Sequence, residues 1–271
     1  MKRFAAVIMF SVLAHAPAAS RSDPEACGDP DTPCILENDR SYHLRIPDDW
    51  DGTSELPVML FFHGWKRQGT QPINSERVGE ATRRRGVLLV APNGANRTWN
   101  FWSSGTADVY FAKNVLEDVA QKYPIDPNRV YVSGYSYGSA MAWRYACEYG
   151  DKVSALIAVA GSLRQVDNCP QAPDEVRHVH GLKDTVMRFP MGPNGDTRFP
   201  VEYWRNRFGC EAVTRNDGWA PTDKLSFERV SWENCPGGTV HLDLHPRGHF
   251  IPRGWIARQL DELLGREPSY P

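Results

Sequence analysis

Residues 129–143 read RVYVSGYSYGSAMAW. Val130, Tyr131 and Val132 are residues that favour a pleated, buried strand. Then Ser136 stands between Gly134 and Gly138, and Ser139, Ala140, Met141 and Ala142 follow as small or unbranched residues suited to a helix. A strand that runs through a glycine-flanked serine into a helix describes a sharp turn that lifts the serine hydroxyl above a sheet. Gly134 and Gly138 are expected where strand and helix pass too closely for side chains. The Tyr137 N–H falls at the helix N-terminus, where the backbone dipole favours a developing anion.

Working outward, apolar runs recur at Leu56–Phe62, Gly86–Ala91, Arg129–Ser133 and Ser154–Ala160. Near-continuous runs of this kind fit strands buried on both faces. Tyr42–Ile46 alternates in polarity and reads as an outer strand. Val176–His180 and Val240–Leu244 continue the series but are more polar, and are expected nearer an edge. Helical patterns fall at Ser75–Arg85, Asp108–Tyr123, Tyr137–Tyr149 and Trp255–Leu264; in the second, Val109, Ala112, Val115, Leu116 and Val119 share a face. Alternating strands and helices predict an α/β fold with a mostly parallel central sheet and helices on both faces.

If Ser136 is a nucleophile, its acid and base should follow it in the order Asp or Glu, then His. Asp184 leaves a strand in HGLKD and suits the acid, with Asp196 as the competitor; Asp167 and Asp174 read as solvated. His249 leaves the last strand in RGHF and suits the base. His245 is the alternative, while His178 and His241 lie within strands and read as structural. Upstream, the apolar strand ending FFHGW places the Trp65 backbone N–H as a second oxyanion donor beside that of Tyr137. His63 in the same stretch precedes the serine and is expected to shape the loop rather than act as base.

These pieces together resemble exported α/β-hydrolase esterases of the polyhydroxybutyrate depolymerase and feruloyl esterase group. The resemblance is carried by FFHGW, TWNFW (98–102), YPIDPNRVYVSGYSYGSAMAWRYACE (123–148), HVHGLKDTVM and RGHF. It implies an α/β-hydrolase fold, with the nucleophile on Ser136, the acid on Asp184, the base on His249 and the first oxyanion donor on Trp65. It implies hydrolysis of carboxylic esters, feruloyl or aryl esters or hydroxyalkanoate oligomers, through an acyl-enzyme and without cofactor or metal. Members commonly carry small or amide residues around the serine, where this chain has Tyr135 and Tyr137. Phe250-Ile251-Pro252-Arg253-Gly254 stands where many have Trp-Pro-Gly. Trp99, Phe101, Trp102, Tyr135, Tyr137 and Phe250 are therefore candidates to line the substrate pocket. A serine peptidase of the same fold and a non-catalytic binding protein are the competing readings.

Composition narrows the classes further. The 271 residues carry a formal net charge of -2, which argues against nucleic acid as the main partner. The one compact basic run, Arg83-Arg84-Arg85, reads as a solvated helix end. Residues 1–19 have a positive start at Lys2 and Arg3, an apolar stretch from Phe4 to Ala14, and small residues at Ala16-Pro17-Ala18. That is the pattern of a signal peptide, leaving residues 20–271 as the catalytic domain, secreted or periplasmic, with no membrane span after cleavage. Six cysteines suit an oxidising compartment, and local pairing predicts Cys27–Cys34, Cys147–Cys169 and Cys210–Cys235. No C-x-x-C occurs, so zinc is not expected.

Overall fold

The computed structural model describes residues 27, 31–36, 39–163, 168–188 and 199–270. The expected signal peptide, residues 1–19, lies outside them, as do Asp167 and Asp196.

Among the described residues ten strands form one sheet. In chain order they are β1 (Cys34–Ile35), β2 (Ser41–Arg45), β3 (Leu56–Phe62), β4 (Leu88–Pro92), β5 (Ile125–Tyr135), β6 (Ala155–Val159), β7 (Glu175–Gly181), β8 (Arg215–Thr222), β9 (Leu225–Cys235) and β10 (Gly238–His245). Their spatial order is β1-β2-β4-β3-β5-β6-β7-β10-β9-β8. From β4 across to β10 neighbouring strands are parallel, so six strands point the same way. The antiparallel pairs are confined to the two flanks.

The period of two along β3 explains why the sheet is covered on both sides. Val58, Leu60 and Phe62 enter a core with Val109, Val115, Ala142 and Trp204. Met59 and Phe61 enter a second core with Ile73, Val78, Trp255 and Leu260. The helices α3 (Ala107–Lys122), α4 (Tyr137–Tyr149) and α5 (Val201–Phe208) thus pack on one face. On the other lie α1 (Thr70–Ile73), α2 (Gly79–Arg83) and α6 (Trp255–Leu263). The expected α/β fold with its mostly parallel sheet is the observed one. Thr106 caps α3, its side chain accepting from the Val109 N–H. Along α3 the expected Val109, Ala112, Val115 and Val119 are buried.

Four expectations need correction. The helix expected over 75–85 is shorter, α2 at Gly79–Arg83, with α1 at Thr70–Ile73 before it and an irregular link at 74–78. The strands at 176–180 and 240–244 are not near an edge; β7 and β10 are interior, and β9 and β8 extend the sheet beyond them. Their polar residues belong to a buried ionic network. Arg229 of β9 grips Asp243 with two hydrogen bonds of 2.9 and 2.8 Å and reaches Glu262 at 2.8 Å, while Arg177 also bonds Glu262 at 2.5 Å. Finally, Arg83-Arg84-Arg85 is not a solvated patch. Arg83 pairs with Asp48 and Glu80, and the buried Arg85 forks onto the buried Asp261 with both bonds at 2.8 Å.

All three expected disulfides are formed: Cys27–Cys34, Cys147–Cys169 and Cys210–Cys235. Among the described residues no helix is long and apolar enough to cross a membrane.

Candidate active site

Ser136 joins β5 to α4 with φ 58° and ψ -121°, a conformation that non-glycine residues adopt only under strain. What imposes it is close packing. A Cβ on Gly138 would lie 2.0 Å from the Phe62 carbonyl oxygen, and one on Gly134 would lie 2.3 Å from that of Gly138. Helix α4 therefore starts almost in contact with the end of β3, and the chain must turn within one residue. Ser136 keeps 7% of its surface accessible.

Asp184 and His249 leave β7 and β10, which are parallel neighbours, at the same sheet edge. Turning the two exits toward each other, the Leu182 N–H bonds the His245 carbonyl at 2.8 Å and the Lys183 N–H that of Arg247 at 3.0 Å. The His249 Nδ1–H donates to Asp184 Oδ2 at 2.6 Å. Asp184 Oδ1 accepts the Val186 and Met187 N–H groups, both at 2.9 Å. A carboxylate so held fixes the imidazole tautomer and leaves Nε2 with its lone pair.

Tyr135 brackets the other side of His249. Its hydroxyl donates to the His249 carbonyl at 3.1 Å, and the two rings lie 4.9 Å apart. Burial, with the nearby Asp184 charge, raises its pKa to about 12, so it stays a protonated donor. Ser136 is thus one residue from a side chain in contact with the histidine. No hydrogen bond from Ser136 Oγ to a described residue is formed. Such contacts are often loose before substrate binds.

The β3 exit packs against the same turn: a Cβ on Gly64 would lie 3.6 Å from the Tyr135 carbonyl oxygen. The Trp65 and Tyr137 rings are 6.2 Å apart. His63 is fully buried and accepts the Gly94 N–H on Nε2 at 3.0 Å, so its Nδ1–H donates to the Gly64 carbonyl at 2.8 Å. Burial lowers its pKa to about 4. It is a neutral strut of the loop, as its place before the serine suggested.

A sheet of this order with a strained serine between β5 and α4, and a bonded Asp–His pair on later exits, is a family arrangement. Residues 57–207 match the alpha/beta hydrolase fold family. The chain belongs to that family. Within it, the chain is similar to a protein named probable feruloyl esterase C of Aspergillus clavatus. The two are 26% identical over 206 residues, 73% of this chain and 71% of the relative. Feruloyl esterase D of Neurospora crassa is 28% identical over 216 residues, 73% of this chain and 69% of the relative. Among solved structures, an acetyl xylan esterase from Aspergillus awamori superposes with a TM-score of 0.64 over 83% of this chain and 94% of its own. At 16% identity that likeness speaks for the fold.

In this α/β-hydrolase the expected pocket residues divide. Trp102 is 44% exposed, stacks on Phe101 at 4.7 Å and meets the Tyr137 ring edge-on at 6.3 Å. Trp99 does not line an open pocket. It is 1% exposed, packs edge-on against Phe62 and donates its indole N–H to the His63 carbonyl at 2.8 Å. Phe101 is likewise buried. Phe250 packs edge-on against His245 at 5.0 Å and, with Tyr135, borders a cavity of about 380 Å³. The alternative base His245 is buried, accepts the Arg247 N–H at 3.3 Å and has its pKa lowered to about 4, first by burial. It touches no acid.

Two contributors escaped sequence reasoning. The Trp65 side chain, 56% exposed, joins Tyr137 and Trp102 in an open aromatic row. His180, at the end of β7, donates Nε2–H to the Met187 carbonyl at 2.6 Å and lies 3.6 Å from Asp184 Oδ2. It braces the turn that presents the acid, and burial lowers its pKa. The HVHGLKD spacing contains it, but only the fold shows that the chain returns over it at Met187.

Proposed function

We propose that the protein is a serine carboxylic-ester hydrolase. The observation that carries this is the Asp184–His249 bond on the same sheet edge as a serine held at positive φ. In this reading Ser136 Oγ attacks the ester carbonyl while His249 Nε2 takes its proton. The imidazolium is stabilised by Asp184 and then protonates the departing alcohol. The Trp65 and Tyr137 N–H groups receive the oxyanion; losing one such donor typically costs about 100–1,000-fold in rate. Water, deprotonated by the same histidine, releases the acid and restores the serine.

The aromatic row Trp65, Tyr137 and Trp102 favours an ester with a flat group, acyl or alcohol, over a flexible aliphatic one. That agrees with relatives named as feruloyl esterases and supports aryl and feruloyl esters over hydroxyalkanoate oligomers. Three disulfides support export through an oxidising compartment, with residues 1–19 as the signal and 20–271 as the catalytic domain.

The test is labelling by a fluorophosphonate together with turnover of feruloyl, short aliphatic and hydroxybutyrate-oligomer esters and peptide anilides. Labelling and ester turnover should both vanish in Ser136→Ala while the circular dichroism spectrum is kept. Near-normal hydrolysis by that variant refutes the assignment. Turnover of the anilides alone would make the protein a peptidase.

A further inference from the structure

The chain is net negative, yet its charges are not evenly spread. Because β3, β4, β7 and β10 run parallel, their exits open on the edge that carries Ser136, Asp184 and His249. Those exits, residues 63–69, 93–106, 182–188 and 246–254, hold Lys66, Arg67, Arg97, Lys183, Arg188, Arg247 and Arg253. All are exposed, and the only carboxylate in the same segments is Asp184. None of these cations forms an ion pair with a described residue. Lys66 instead sits 4.3 Å over the Trp65 ring, and Arg247 donates to the Lys224 carbonyl at 2.7 Å.

The cations also act on side chains that flank the site. Arg67 and Arg77 act on the Tyr135 phenol, which is bonded to His249, and Arg97 acts on His63. Arg77 lines the cavity bordered by Tyr135 and Phe250. It also lines a second cavity, of about 440 Å³, with Arg84 and Arg253. Glu76 faces both cavities, and Glu80 is engaged by Arg45, Arg83 and Arg84. Unpaired cations of one sign around a cleft repel one another and concentrate anions there. Because the exits that carry these cations also carry Asp184 and His249, and Arg77 shares a cavity with Tyr135 and Phe250, the anion they fit is the substrate.

Resting on the esterase reading, we propose that the substrate is an ester bearing a carboxylate near the scissile bond, received by Arg67, Arg77 and Arg253. Water still divides it into acid and alcohol; the carboxylate is a handle and takes no part in the bonds that change. A matched pair tests this: 3-(4-acetoxyphenyl)propanoate and its neutral N-methylamide, which share acyl group and leaving phenol. At an ionic strength of about 20 mM the anion should be preferred about fivefold in kcat/KM, falling toward unity near about 0.5 M salt. Combining Arg67→Gln, Arg77→Gln and Arg253→Gln should bring the low-salt ratio to about unity. Each ratio is taken within one preparation, so loss of folded protein cancels. A wild-type ratio of one or less, or a preference that survives the triple substitution, overturns the proposal while leaving the esterase intact. If neither ester is cleaved, the esterase reading falls with it.

Discussion

Gly138→Ala tests the packing that creates the serine turn. The added Cβ would stand 2.0 Å from the Phe62 carbonyl oxygen and 2.5 Å from that of His63. Ordinary contact begins at 3.4 Å, so one side must retreat by 1.4 Å along the shorter contact. Both obstacles are backbone, and Phe62 is paired with Gly134 across the sheet, so neither yields cheaply. If α4 moves, it takes Tyr137 and Ser136 away from the β3 exit; if the β3 exit moves, it takes Trp65 away from them. Either way the two candidate oxyanion donors separate on the order of 1 Å, a misplacement that costs about 100-fold in rate. Overpacking should also cost about 1–3 kcal/mol, a fall in Tm of roughly 3–10 °C for a chain of this size. The assays are kcat/KM for an aryl acetate, the fluorophosphonate labelling rate and a thermal melt by circular dichroism. A variant within threefold of wild type in rate and unchanged in Tm would show that α4 and β3 do not approach as described.

Three further outcomes follow from the same structure. Asp184→Asn leaves Oδ1 to hold the Val186 and Met187 N–H groups but loses the acceptor for His249 Nδ1–H. Ester turnover should fall about 1,000- to 10,000-fold with little change in Tm, and a loss under tenfold would remove Asp184 from the mechanism. Breaking the buried Arg85–Asp261 pair by Asp261→Asn should cost about 3–5 kcal/mol in urea unfolding, whereas replacing both partners by apolar residues should recover most of it. Stability should also fall with acid in two stages. Burial holds His63 and His245 neutral with pKa about 4, so their support is complete above about pH 6.5 and lost as pH falls to about 4. The His63 share is up to about 3 kcal/mol. Burial alone would raise the Glu262 carboxyl, but Arg229 and Arg177 bring it down to about 2. Its share, about 2 kcal/mol after solvent screening, is therefore lost between about pH 4.5 and 2. Urea midpoints that stay flat from pH 7 to pH 4 would contradict the histidine assignment.

What could be read from the chain alone follows from how local its causes are. Strand β3 and helix α4 have the observed bounds expected from their apolar runs and flanking glycines, because burial on both faces and close approach leave a mark on consecutive residues. The hairpin of β8 and β9 leaves no such mark. β8 reads RNDGWAPT and is mostly exposed, so no burial pattern marks it, and Arg229 interrupts the alternation of β9. That arginine makes sense only beside Asp243 and Glu262, which come 14 and 33 residues later. Arg85 repeats the lesson with a partner 176 residues away.

The same distinction separates the tryptophans. Trp99 and Trp102 lie three residues apart and are indistinguishable by composition, yet one donates to the His63 carbonyl in the core and the other stands open beside Tyr137. Motif order does bring Ser136, Asp184 and His249 to one sheet edge, since each follows the end of a strand whose direction the fold fixes. Which ring is exposed depends on contacts distant in sequence. The buried carbonyl of His63 claims Trp99, while Trp102 and Trp65 stay exposed. Removing that claim should therefore move Trp99: Trp99→Phe ought to lower stability and loosen the His63–Trp65 loop, whereas Trp102→Ala should weaken binding of aryl esters and leave Tm near its wild-type value. If the two variants behave alike, burial has not divided them as argued.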